Sequence, residues 1–124
     1  MDPFEPIVRA LARYAYSPRD EAHLYEGINH VLDAAGISYE RERRVVMQWD
    51  KTGRLDYFLP ESGIAIEVKV QGAHAAIVGQ LRRYAWCEEV KGVLLVTTRG
   101  ALARVPSMLE GKPVRAMRLV GGFG

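Results

Sequence analysis
The sequence predicts an α/β protein: a mixed central β-sheet flanked by helices, with elements in the order α, α, β, β, β, α, β, (α), β. Three observations carry that prediction. The spacing of apolar residues changes from helical to strand-like after Gly36. Two turn-forming stretches, residues 50–53 and 60–63, then divide the following chain into a three-strand meander. A helical segment next leads into the near-continuous apolar run 92–97, the pattern of a strand covered on both faces.

Taken in order, residues 4–15 place Ile7, Val8, Leu11 and Tyr14 at helical spacing. Ser17-Pro18 reads as a stop and restart, with Ser17 the N-cap and Pro18 the first residue of a second helix. Asp20 and Glu21 lie near the positive end of that helix, Leu24, Ile28, Val31 and Leu32 form its apolar stripe, and Gly36 closes it. Residues 40–49, charged at first and β-branched later, form a first strand. Residues 54–59 form the second and 64–70 the third, which ends at Gln71-Gly72. Over 73–89 the helical stripe is Ile77, Leu81, Tyr84 and Ala85. Beyond the fourth strand, 92–97, the spacing predicts a broken helix around Pro106 (101–109), a last strand at 113–120 and a glycine-rich tail.

At 124 residues and 13.9 kDa the chain is expected to form one domain. A helical extension (1–16) precedes a core (18–98) and a basic C-terminal segment (99–124). A hydrophobic content of 48% with 26% charged residues excludes a disordered or fibrous chain. One cysteine, Cys87, excludes an internal disulfide and points to a reducing, cytoplasmic setting, with Cys87 itself expected in the core. No apolar run is long enough for a membrane span, and the first residues lack a signal-peptide pattern, so no membrane partner is expected. The net charge of +2 hides an asymmetry: residues 91–124 carry six basic side chains against Glu110 alone, and acids are in excess before them. Such a division suits an acidic pocket beside a basic landing surface.

The chemistry-bearing residues fall on the second and third strands. The two-residue period of a strand puts Ala65, Glu67 and Lys69 on one face, and Arg54, Asp56 and Phe58 on one face of the strand before it. Pairing through the 60–63 turn brings Asp56 beside Glu67, with Lys69 two residues along. Two adjacent carboxylates are costly without a cation between them. Hard oxygen donors of this kind suit Mg²⁺ or Mn²⁺, and an adjacent lysine can assist a bound water or neutralise charge developing on phosphorus. A salt-bridge ladder across two strands is the competing account of these residues.

Asp56, then Glu67-Val68-Lys69, preceded by an amphipathic helix, resembles the PD-(D/E)XK nuclease superfamily. Gln80-Leu81-Arg82-Arg83-Tyr84 adds a resemblance to the QxxxY element of its RecB-like and phage exonuclease-like branches. Leu55, not proline, precedes Asp56, a departure from the name-giving motif. The resemblance implies a restriction-endonuclease-like core and a metal-dependent deoxyribonuclease leaving a 5′-phosphate and a 3′-hydroxyl. It implies Mg²⁺ or Mn²⁺ held by Asp56, Glu67 and the Val68 carbonyl, an accessory acid on the preceding helix, Lys69 assisting the attacking water, and Gln80 and Tyr84 orienting Lys69 or the phosphate. Glu21, in line with Leu24, Ile28 and Leu32, is the expected accessory acid. Glu42 is the second choice, and Glu26 falls with His30 and Asp33 on the solvent side.

Arg82 and Arg83 beside Gln80, Arg54, the run Arg41, Arg43 and Arg44, Trp49 as a stacking ring, and His74 beyond the third strand are candidate nucleic-acid contacts. His23, His30 and His74 lack metal-ligand spacing. DNA is the expected partner. A silent nucleic-acid-binding module, or the nuclease subunit of a larger complex, is the alternative. A dimeric Holliday-junction resolvase, which the chain resembles in size and strand motif, is a third. Small stand-alone domains of this kind imply a prokaryotic, archaeal or viral source.

Overall fold
The computed structural model describes residues 2–17 and 20–120. Among these residues three helices and six strands follow one another as α1 (Glu5–Ala12), α2 (Glu21–Ala34), β1 (Glu40–Val46), β2 (Thr52–Leu59), β3 (Ile64–Val68), α3 (His74–Trp86), β4 (Gly92–Thr97), β5 (Met108–Leu109) and β6 (Lys112–Arg118). Short 3₁₀ turns at Gln48–Asp50 and Gly100–Ala103 join β1 to β2 and follow β4. The strands lie in one mixed sheet in the order β1-β2-β3-β4-β6-β5. The meander β1-β2-β3 is antiparallel, α3 crosses over to put β4 parallel to β3, and β6 is parallel to β4. This is the α/β class and mixed sheet that the period changes predict.

Each face of the sheet carries its own apolar layer. Ile7 and Leu11 of α1 and Leu24, Ile28 and Leu32 of α2 pack with Tyr57, Leu59, Ile64, Ile66, Val68, Leu94 and Val96. On the opposite face Ile77, Leu81, Tyr84 and Ala85 of α3 pack with Ala65, Val93 and Leu95. Strands β3 and β4 are therefore buried on both sides. Cys87 is buried in the α3 layer, and burial pushes its thiol pKa up.

Several boundaries differ from those expected. Ser17 is not the cap of α2: Asp20 is, accepting the His23 N–H at 3.0 Å, which starts the helix at Glu21. Pro18 lies outside the described residues. Gly36, at φ +70°, does close α2 in the left-handed conformation that glycine adopts without penalty. Strand β3 ends at Val68, short of Val70, although the Lys69 N–H still bonds the Val96 carbonyl. The region of Pro106 holds a 3₁₀ turn and the two-residue strand β5 in place of a broken helix.

The face assignment of β2 is also corrected. Leu55 and Phe58, three residues apart, both pack in the α3 layer, whereas Tyr57 and Leu59 pack in the other. Arg54, Asp56 and Phe58 thus do not share one face. The alternation slips at Asp56 because backbone pairing of β2 with β3 stops at Tyr57–Ile66, and beyond it the Val68 N–H bonds the Asp56 side chain.

Candidate active site
Asp56 sits where β2 and β3 part. Its Oδ2 accepts the Val68 N–H at 3.0 Å and the Tyr25 hydroxyl of α2 at 3.3 Å. Its backbone carbonyl accepts Arg41 Nε at 3.0 Å. The Arg41 guanidinium lies over the rings of Tyr25 and Tyr57, 4.2 and 4.6 Å from their centroids. The carboxylate is therefore fixed by β3 and α2, and the backbone that carries it by β1.

Glu67 is the buried member of the pair, 2% exposed. Its Oε1 accepts the Tyr84 hydroxyl at 2.8 Å, and Lys69 Nζ stands 3.8 Å from its Oε2. Burial first, then the hydrogen bond and charge of Asp56, push its pKa up to about 9, against the opposing pull of Tyr84 and Lys69. A proton on Glu67 relieves the repulsion between the two carboxyl groups, and a divalent cation would relieve it in the same way. The donor set is two carboxyl groups and the neighbouring Val68 carbonyl. Hard oxygens in that number fit an ion that keeps several waters, as Mg²⁺ and Mn²⁺ do. Among the described residues no group of three or more His, Cys, Asp or Glu side chains is arranged to hold an ion.

Tyr84 also reaches the Arg54 carbonyl at 3.0 Å, so α3 is tied at one point to both β2 and β3. Burial, then the charges of Glu67 and Asp56, hold its hydroxyl pKa far above the ordinary value. Gln80, one helical turn earlier, is half-buried and accepts from Arg83 at 2.7 Å. Glu21 is half-buried on α2, one turn before Tyr25, and its charge, after burial and Asp56, helps raise the Tyr25 pKa. It lies on the side of the helix that approaches Asp56.

Other candidates stand apart. Glu42, with φ +50°, points its exposed carboxylate to Arg54 at 4.0 Å, and Glu26, His30 and Asp33 are exposed. Arg43 is committed to Glu40 and Glu89 and lies over the Phe58 ring. His74, the first residue of α3, is hydrogen-bonded to the Arg104 carbonyl. His23 pairs with the cap Asp20. Arg44 and Arg54 are exposed together as facing partners near the turn end of the β1–β2 hairpin. Arg82 pairs with Glu110 at 3.2 Å.

Tyr25 escaped the sequence reading and Arg41 received too little weight in it. The signal for Tyr25 was its position four residues after Glu21, on the same side of α2. No family model, curated protein or solved structure matches the chain.

Proposed function
We propose that the protein is a metal-dependent nuclease that hydrolyses DNA phosphodiester bonds on a restriction-endonuclease-like core. The observation that carries this reading is the setting of Glu67: 2% exposed, with the Tyr84 hydroxyl at 2.8 Å and the Lys69 amine at 3.8 Å, its pKa driven up by burial and by the neighbouring Asp56 carboxylate. A second acid beside a carboxyl group that burial already penalises is costly for a purely structural ion pair and is common at functional sites. Asp56, Glu67 and the Val68 carbonyl would hold Mg²⁺ or Mn²⁺, with Glu21 as the accessory acid. Such an ion, when bound, neutralises phosphate charge and lowers the pKa of water.

The protein's own groups do the remaining work. Tyr25, the Val68 N–H and Arg41 hold Asp56 in one orientation, and Tyr84 holds Glu67. Lys69, at the partly open mouth of the pair, is placed to exchange a proton at Nζ or to face the charge that builds on phosphorus.

The test is a panel of labelled substrates (linear duplex, single strand, flap, junction and closed circle) incubated with Mn²⁺, Mg²⁺ or chelator. Metal-dependent cleavage that disappears in Asp56→Ala is the expected result, and undiminished cleavage by that variant refutes the assignment. A second reading, a silent nucleic-acid-binding module, is favoured by the position of Glu21: among the described residues it does not group with Asp56 and Glu67 as a third side-chain ligand, and would have to move to serve as one. Binding without cleavage in every metal would establish it.

A further inference from the structure
The chain has two tryptophans, and both line the same groove. Trp49 stands at the tip of the β1–β2 hairpin, 80% exposed and held at φ +64°. Trp86, 40% exposed, is the last residue of α3. Between hairpin and helix lies a space of about 660 Å³ whose walls also carry Lys51, Arg54, Arg82 and Arg83. Among the described lining residues Glu110, paired with Arg82, is the one acid. Gln80 also lines the groove, one helical turn before Tyr84, whose hydroxyl reaches the Arg54 carbonyl and Glu67; Asp56, Glu67 and Lys69 themselves are not part of its lining.

An indole this exposed costs apolar hydration and belongs to neither apolar layer. Its left-handed backbone is uncommon for a bulky residue and is a conformation the hairpin must hold at some cost. Exposed rings spaced among cations fit one kind of ligand well, a polyanion that also presents flat aromatic faces. A duplex buries its base faces in its own stack, whereas a single strand offers them.

We propose that this groove binds a single-stranded polynucleotide, its bases stacking on Trp49 and Trp86 and its phosphates meeting Lys51, Arg54, Arg82 and Arg83. The inference rests on the nuclease reading only for the fate of the bound strand, which it would feed to Asp56 and Glu67. Strand capture itself requires no metal and no cleavage.

The experiment is titration of the whole protein, in chelator, with twelve-nucleotide DNA and RNA strands and with a DNA duplex of the same length. It is followed by tryptophan emission and by anisotropy of labelled strands. Because both indoles lie in the groove, binding should quench the intrinsic emission. Trp49→Ala should lower single-strand affinity about fivefold or more, and Trp49→Phe should recover most of it. A Lys51→Gln/Arg83→Gln variant should reduce the slope of log affinity against log salt by about 1.4. Trp49 is exposed, so its replacement leaves both apolar layers intact. Unquenched emission on binding, an unchanged affinity in Trp49→Ala, or a duplex bound as tightly as the strands would each overturn the proposal. The DNA and RNA arms identify the preferred backbone. Cleavage with normal strand affinity in Trp49→Ala would sink the groove and spare the nuclease. Trp49-dependent capture by a protein inert in every metal would do the reverse.

Discussion
The side chain of Asp56 completes the sheet: its Oδ2 lies 3.0 Å from the backbone N of Val68, where β2 and β3 have ceased to pair. The same carboxylate meets Glu67, so one residue carries a structural bond and half of the candidate site. These two duties separate by substitution. Asp56→Ala removes the acceptor, leaves the Val68 N–H without a partner and should cost about 1–3 kcal/mol. Asp56→Asn keeps a carbonyl acceptor and removes the charge that opposes ionised Glu67, so it should lose less stability than Asp56→Ala and gain on the parent as pH rises. Both variants should lose cleavage. Urea unfolding in chelator at pH 7 and pH 9 measures the difference.

Glu67 gives the metal-free protein a definite pH dependence. Its pKa in the fold is raised to about 9 by burial and by Asp56. The folded protein therefore holds a proton that the unfolded chain, near the ordinary value of about 4.3, releases. Stability from this group is fully present below the unfolded value and is lost as pH rises through the window up to the folded one. Glu67→Gln should flatten that decline, seen as a denaturation midpoint that changes less between pH 5 and pH 9 in chelator. Manganese should then raise the parent's melting temperature more at pH 9 than at pH 6, because a carboxylate ligand must first lose its proton.

The pattern of Glu67, Lys69 and the stripe on α3 was readable because it obeys fixed periods: alternation along a strand and one turn along a helix. Ile77, Leu81, Tyr84 and Ala85 are all buried, as that stripe requires. The slip at Asp56 was not readable, since it arises from a side chain taking a backbone bond twelve residues away. Tyr25 meets Asp56 across 31 residues, a contact that no local period encodes. Strand β5 spans two residues, too short for any period to register. Ser17 and Asp20 are both good capping residues, and the choice of Asp20 depends on which one reaches the first free N–H groups.

Arg41 should be sensitive to shape as well as charge. Its guanidinium covers Tyr25 and Tyr57 while Nε holds the Asp56 carbonyl. A lysine keeps the charge but not the flat, directed donor. Arg41→Lys should therefore destabilise the fold by about 1 kcal/mol and Arg41→Ala by about 2 kcal/mol, through lost stacking and the unpaired carbonyl. Equal unfolding midpoints for Arg41→Lys and the parent would show that charge alone is sufficient.

Lys69 separates ion binding from turnover. Its Nζ approaches Glu67 from a side chain that is 38% exposed, so Lys69→Met removes the amine without opening a core. The two carboxyl groups remain, and Glu67 loses a cation that opposes its raised pKa. Removing that cation also removes a repulsion against an incoming metal ion. Lys69→Met should thus bind manganese at least as well as the parent at high pH while its cleavage rate falls at least a hundredfold, the range of a lost general acid–base group. Calorimetric titration with the metal and single-turnover cleavage, run on the same preparation, measure the two halves. Loss of metal binding together with cleavage would make Lys69 a support of the carboxylate pair and not a participant in proton transfer.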